Sequence, residues 1–434
     1  MFSKGGQVFS RRLLKGDLLS SASSLDELFE RAVKSTHVFT NRDVLRHDYL
    51  PENLPHREEQ IYCFGEIVAP VLKYDRCSNV FIYGKTGTGK TAVVTFVLSK
   101  LLEKARNLGV PFRICYINCR LAGTEYRVLA SLCNVLNVKV PFTGLAVGEI
   151  FDRFKTALDV APSLLVIVLD EIDELVKERG DALLYELTRV NESLVRSKLS
   201  LVGISNDLMF KELLDPRVLS SLSEEEIVFR PYNATELHDI LLERCNLAFL
   251  GGALSEGALS LCSALAAAEH GDARRALDML RVAGELAERE ATATVTDKHI
   301  RNAEKRIEHD RTIDALRNLT PHSKIVLASV YLLNKANINS AVTGDIYEIY
   351  QELCEFSGYT TLTQRRVSGL ISELDVIGLL NSRVISMGRY GRTKKIKLSI
   401  SHGLVAKVFC EDENLGRLIG YSPRCLSHVT TKKG

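Results

Sequence analysis

Residues 79–95 read NVFIYGKTGTGKTAVVT, and this stretch decides the fold. Val80, Phe81, Ile82 and Tyr83 form an apolar, β-branched and aromatic run that breaks into a glycine-rich turn and continues as helical text. The order is strand, loop, helix. The loop Gly84-Lys85-Thr86-Gly87-Thr88-Gly89-Lys90-Thr91 fits the pattern G-x-x-x-x-G-K-[ST] at every position. Such a loop suits a polyphosphate. Glycines let backbone N–H groups turn inward, the helix aims its N-terminus at the anion, Lys90 adds a long cation and Thr91 a hydroxyl for magnesium. These eight residues, with Ala92 behind them, are the candidate nucleotide cradle, and ATP or ADP with Mg2+ are the expected ligands.

Charged residues make up 25% and hydrophobic ones 46% of the 434 residues, the balance of a globular chain long enough for two or three domains. A net charge of +2 argues for no partner, but its distribution does. Residues 320–410 hold eleven Lys/Arg against six Asp/Glu, net +5, which leaves net −3 elsewhere. Ten cysteines lie scattered without a CxxC pair, so no zinc site is indicated. Reduced thiols are expected, with a disulfide or two open to a hyperthermophile. No apolar run reaches membrane-spanning length, and the Arg/Ser-rich start lacks a secretory apolar core. A cytoplasmic protein with a flexible arm over residues 1–37 follows, the arm holding one short helix after the capping box Ser24-Leu25-Asp26-Glu27.

Residues 48–61, DYLPENLPHREEQI, form a turn-rich linker leading into a helix through Ile61, Phe64, Ile67 and Val71. In many phosphate-loop proteins this segment walls the adenine pocket, which makes His56 and Arg57 candidates; a capped surface helix start is the plainer alternative. Four more strand candidates follow the loop: 112–118 (FRICYIN), 164–169 (LLVIVL), 199–205 (LSLVGIS) and 226–229 (EIVF). They alternate with helical text, the signature of a parallel α/β sheet whose ligand sits beyond the strands' carboxyl ends. The acids obey that rule. Asp170 and Glu171 follow LLVIVL directly, so Asp170 is placed to hold the magnesium shell with Thr91, and Glu171 to take a proton from an attacking water. Asn206 ends the next strand, where an amide can touch the γ-phosphate, although Asn after a strand is also a common turn residue.

Past Pro231 only helices follow, at 234–249, 256–268, 272–290 and 297–310, a small α-helical lid over residues 231–312 behind a core over 38–230. Arg274 sits one turn into the third helix, placed to reach phosphates; a surface pair with Asp278 is the plainer reading. Tyr232, at the hinge, joins the candidate nucleotide contacts. Residues 313–410 form a third unit. There Thr361-Leu362-Thr363-Gln364 is a capping box opening a helix whose Val367, Leu370, Ile371 and Leu374 face a core. Arg365, Arg366 and Ser368 stay outside, as a major-groove helix requires. A hairpin follows, with strands at 379–386 and 394–399 and a tip carrying Arg389, Tyr390 and Arg392. Helices followed by a basic-tipped hairpin spell a DNA-reading winged helix. Residues 411–434 read as a weakly structured tail.

Taken in order, GKTGTGKT, LDEID, GISND, DPRVLSSL, GDARRALDMLR and LTQRRVSGLISEL followed by GRYGRT resemble the archaeal replication initiators. These are related both to the first subunit of the eukaryotic origin recognition complex and to cell division control protein six. The resemblance spans residues 38–410. It implies an AAA+ core of strand order 5-1-4-3-2, a helical lid and a winged helix. Lys90 and Thr91 become the Walker A pair, Asp170 and Glu171 the Walker B acids, Asn206 sensor 1 and Arg274 sensor 2. It also implies that residues 118–151 hold a helical insertion that touches DNA, with Tyr126 and Arg127 as contacts; spacing alone reads as an ordinary connection. Many AAA+ relatives carry Ser-Arg where this chain has Ser220-Ser221, which leaves Arg217 as the nearby candidate for an arginine finger. The partners implied are duplex origin DNA, the replicative helicase and further copies or paralogues on DNA. A regulator in which a nucleotide switch controls a winged-helix promoter reader is the rival, and a clamp loader a weaker third.

Overall fold

The computed structural model describes residues 37–338, 341–386, 392–412 and 415–424. Strands β1 (Val80–Gly84), β2 (Phe112–Asn118), β3 (Leu164–Asp170), β4 (Lys198–Ser205) and β5 (Glu225–Phe229) make one parallel sheet of order β2-β3-β4-β1-β5. Read from the other edge, this is the expected order 5-1-4-3-2. Buried at all seven positions, β3 shows why its sequence is an unbroken apolar run. Side chains alternate across a strand, so Leu165, Ile167 and Leu169 join one core with Leu129 and Phe154, while Leu164, Val166 and Val168 join another with Val93 and Val97.

Register then builds the site. Tyr83 lies opposite Ser205, Gly84 opposite Phe229, and Asp170 opposite both Asn118 and Ile204, so the carboxyl ends of all five strands share one edge of the sheet. Helices α1 (Glu58–Val68) and α2 (Lys90–Asn107) pack on one face; α3 (Cys119–Ala122), α4 (Glu125–Val135) and α5 (Val147–Asp159) occupy residues 119–159. The ordinary connection read from spacing is thus replaced by three helices. α6 (Ile172–Arg179), α7 (Ala182–Arg189) and α8 (Pro216–Leu222) complete the core.

The lid is α9 (Ala234–Ala248), α10 (Glu256–Ala268) and α11 (Ala273–Arg289), α9 opening on a full capping box between Asn233 and Glu236. Residues 38–49, assigned to the core by sequence, are stitched to this lid instead. Thr40 N–H donates to Ala248 O at 2.8 Å, Val38 N–H to Glu288 Oε1 at 3.1 Å, and Arg244 donates to Val44 O and Tyr49 O, both at 3.1 Å. Phe39 stacks on Phe249, 4.9 Å between ring centres.

A boundary between two compact units falls after Ala303, inside α12 (Asp297–Arg317), a helix that runs past its expected end near Asp310. The second unit contains α13 (Pro321–Lys335), β6 (Ala341–Val342), α14 (Thr343–Ser357), α15 (Gln364–Val376), β7 (Leu380–Ser386), β8 (Arg392–Leu398) and α16 (His402–Cys410), with an antiparallel sheet of order β6-β8-β7. Val367, Leu370, Ile371 and Leu374 are buried as their spacing requires. Three readings change. Thr363, not Thr361, caps α15 by accepting Arg366 N–H; the box read two residues early because both positions carry threonine. Arg392 and Thr393 pair in β8 rather than in the tip. Of the tail, residues 415–421 are packed: Leu415 and Leu418 are buried, and Tyr421 OH donates to Glu352 Oε1 at 2.8 Å. The Ser24–Glu27 helix, Arg389 and Tyr390 lie outside the described residues. The nine described cysteines are free thiols.

Gly284 on α11 admits the linker: a Cβ there would lie 2.2 Å from Phe39 Cζ, and that ring is held by Phe249. Gly284→Ala is expected to destabilise the protein by ~1–3 kcal/mol through overpacking. Phe39→Ala should suppress most of that cost in the double variant, as read by urea unfolding.

Candidate functional site

The loop after β1 wraps its own lysine. Lys90 Nζ donates to Gly84 O and to Lys85 O, each at 2.7 Å, and is nearly excluded from water. Burial pushes its pKa down to about 8, against the pull of Asp170. Thr88 Oγ1 donates to Lys85 O at 2.8 Å and closes the turn. Gly87 (φ +73°) is where the lid meets the loop: a Cβ would sit 1.8 Å from Asp272 Oδ1, and Gly87 O accepts Ala273 N–H at 3.2 Å.

At the tip of β3, Asp170 Oδ2 accepts Thr91 Oγ1–H at 2.8 Å and the Tyr116 hydroxyl, while Asp170 Oδ1 accepts Glu171 N–H at 2.9 Å. A hydroxyl beside a carboxylate is a hard oxygen pair that fits magnesium. Glu171 takes φ +54°, a left-handed conformation that costs a non-glycine residue ~1–2 kcal/mol and turns its side chain away from the strand direction. Asn206 follows Ser205 at the end of β4; its N–H donates to Asp173 Oδ1 at 3.3 Å. Arg274 is exposed on α11 and, among the described residues, has no ion-pair partner; Asp278 pairs with Arg281 at 3.3 Å instead. Arg274 also faces a cleft of about 220 Å³ lined by Gly87, Gly89, Thr91, Ala92 and Tyr232, and closed by residues 47–55.

Two expected contacts are elsewhere. Arg57 is fully buried behind the loop, where it reaches backbone carbonyls rather than the cleft, and His56 Nε2 bonds Asp239 Oδ2 at 2.9 Å on the lid. Tyr126 OH donates to Pro141 O at 2.6 Å, bracing the insertion, whereas Arg127 is exposed. Arg217 bonds its own cap, Asp215, at 3.2 Å. In the second unit a groove is lined by Thr343, Gly344, Gln364, Arg365, Ser368 and Lys394, while the neighbouring Arg366 pairs with Glu373 at 3.5 Å.

A model of the AAA domain matches residues 73–208, one of the Cdc6 AAA+ ATPase-type lid domain residues 238–305, and one of the CDC6 C-terminal winged helix domain residues 314–408. An ORC1-type DNA replication protein of Pyrococcus abyssi is 49% identical over 402 residues, covering 92% of this chain and 96% of that one. The chain belongs to the ORC1-type DNA replication proteins. ORC1-type DNA replication protein 1 of Archaeoglobus fulgidus is 50% identical over 391 residues, covering 90% of this chain and 95% of that one. The structure of the Aeropyrum pernix ORC1 protein in complex with DNA matches with a TM-score of 0.80 at 47% identity, over 88% of this chain and 99% of that one. Membership favours the initiator reading over the promoter regulator and the clamp loader. No helix among the described residues is long and apolar enough to cross a membrane.

Residues that ORC1-type membership does not itself explain emerge from tertiary packing. Arg244 carries the wall of the cleft, and Tyr116 reaches Asp170 from the neighbouring strand. Asp173, the last acid of LDEID, is buried and gathers the Ser205 hydroxyl at 3.1 Å and Asn206 N–H; its only sequence signal was the spacing of two acids at i and i+3. Asp173→Ala leaves Asn206 N–H unmet, while the Ser205 hydroxyl keeps Asp207 O at 3.1 Å, and is expected to cost ~1–3 kcal/mol in denaturant unfolding. Asp207→Ala, which removes a half-exposed pair with Lys177 and the cap on Met209 N–H, should cost about 1–2 kcal/mol.

Proposed function

We propose that this protein is an ATP-switched initiator that binds origin duplex DNA and helps recruit or load the replicative helicase, alone or beside further copies or paralogues. The observation that carries the reading is the meeting of Lys90, Thr91, Asp170, Glu171 and Asn206 at one sheet edge beneath Arg274, in a chain that also bears a winged helix with a basic groove. Thr91 and Asp170 would hold Mg2+, which when bound supplies positive charge to the β- and γ-phosphates. Lys90 exchanges its two carbonyl partners for phosphate oxygens. Glu171 takes the proton from the attacking water, Asn206 orients that water, and Arg274 reports the γ-phosphate to the lid. Hydrolysis is slow and serves as a switch. The protein works in the cytoplasm, on the nucleoid.

Glu171→Gln is expected to retain ATP and lose turnover, whereas Lys90→Ala loses binding, as measured by calorimetry and phosphate release. Parental turnover in Glu171→Gln would remove the base assignment.

For DNA, Arg365, Ser368 and Lys394 line the groove, and the relative from Aeropyrum pernix bound DNA in its structure. Arg366, Arg389, Tyr390 and Arg392 belong to the same proposed surface, with Tyr126 and Arg127 as a second contact. A base-reading arginine contributes ~1–3 kcal/mol of discrimination, and a phosphate contact about one unit of salt slope. Arg365→Ala should relax sequence preference, and Lys394→Ala should weaken specific and random duplexes alike and flatten the salt dependence. Titrations at two salt concentrations measure both; unchanged binding in both variants would make the groove a protein contact.

A further inference from the structure

Arg57 is the largest fully buried polar side chain of the described residues, and it stands outside the lining of the cleft where the sequence placed it. Its Nε–H donates to Thr88 O at 3.0 Å, its Nη2 to Arg230 O at 2.8 Å and its Nη1 to His56 O at 3.3 Å. The guanidinium lies 3.8 Å from the centre of the Tyr232 ring and 5.4 Å from that of Phe229. A buried cation with no carboxylate bonded to it is costly, and here it is met by three carbonyl dipoles and two ring faces. Such a group is kept in place by what it orders. Thr88 O belongs to the peptide that joins Thr88 to Gly89, the cap of α2. A trans peptide holds its C=O and N–H on opposite sides. Anchoring Thr88 O behind the loop therefore turns Gly89 N–H away from Arg57.

We infer that Arg57 is a positioning residue for phosphate: it fixes the Thr88–Gly89 peptide so that Gly89 N–H faces the anion, and through Arg230 O and Tyr232 it ties that peptide to the lid hinge. Tyr232 completes the tie. Its hydroxyl oxygen lies 2.7 Å from where a Cβ on Gly89 would be, and its backbone packs on Gly271, just ahead of the lid helix that carries Arg274. A lysine at position 57 is a point charge on a flexible stem without the planar fork that meets Thr88 O and Arg230 O together, so it supplies the charge without the geometry.

The inference rests on the nucleotide reading, and the test keeps the two apart. Full-length parent, Lys90→Ala, Arg57→Lys and Arg57→Ala are titrated with Mg-ATP and with ADP, alongside thermal unfolding without nucleotide. The parent binds and Lys90→Ala does not; a parent that fails to bind overturns the nucleotide reading itself. Arg57→Lys, folded, is expected to bind both nucleotides about ten-fold more weakly, the scale of one lost charge-assisted hydrogen bond. Millimolar guanidinium, which leaves the parent unchanged, should restore affinity to Arg57→Ala by refilling the cavity. Should Arg57→Ala not fold, Arg57→Lys decides. Parental affinity in folded Arg57→Lys, or a folded Arg57→Ala that guanidinium does not move, would reduce Arg57 to a stabilising tie and overturn the inference.

Discussion

The nucleotide end of the molecule is organised around one ammonium group taken out of water. Lys90 must stand inside the loop to meet phosphate, and there burial lowers its pKa from 10.5 to about 8. A depressed lysine burdens the fold at neutral pH by something on the order of 3 kcal/mol, and the burden lifts as pH rises from 8 through 10.5. Gly84 O and Lys85 O offset part of it by turning inward onto Nζ. On the proposed reading a polyphosphate would supply the charge that the carbonyls only approximate, and its binding would stabilise the fold.

That arrangement fixes what its surroundings must be. The ends of β1 and β3 have to lie level so that Thr91, one loop beyond β1, meets Asp170 across 2.8 Å, and parallel pairing of both strands with β4 sets that level. Asp173 then binds the end of β4 to the helix that follows β3, so Asn206 and Glu171 stand on elements tied by one buried carboxylate. Strain at Glu171 is tolerated because β3, buried along its whole length, over-determines where that residue sits.

Much of this was legible because it is local. Short apolar runs rich in β-branched residues and bounded by turn formers read as buried strands, the Gly and Lys spacing of the loop reads as a phosphate cradle, and an i, i+3, i+4, i+7 stripe such as Val367 to Leu374 has one buried face. What stayed hidden was long-range. Arg57, expected in the cleft wall, sits behind the loop because its partners lie 31 and 173 residues away. Arg244 looks like any surface arginine on an amphipathic helix until Val44 and Tyr49, about 200 residues earlier, are packed against it. The tail beyond Glu411 reads as weakly structured since Leu415 and Leu418 are too few to show a period, yet they cover a core already formed.

These long-range ties change what a moving lid would carry. Residues 38–49 are bonded to α9 and α11, so they travel with the lid although they precede the core in sequence. Residues 53 and 56 also reach α9, through Glu243 at 3.2 Å and Asp239 at 2.9 Å. Only at Arg57 does the linker commit to the loop and the hinge. The wall of the cleft over residues 47–55 is thus a lid surface, while its floor, Gly87 to Ala92, belongs to the core. A nucleotide in that cleft would touch both bodies along its whole length, base end included, and lid position would respond to occupancy even where Arg274 makes no contact. On the proposed reading the switch would then be distributed: Arg274 would meet the γ-phosphate end, and a strap that the lid holds with buried hydrogen bonds would meet the rest of the ligand.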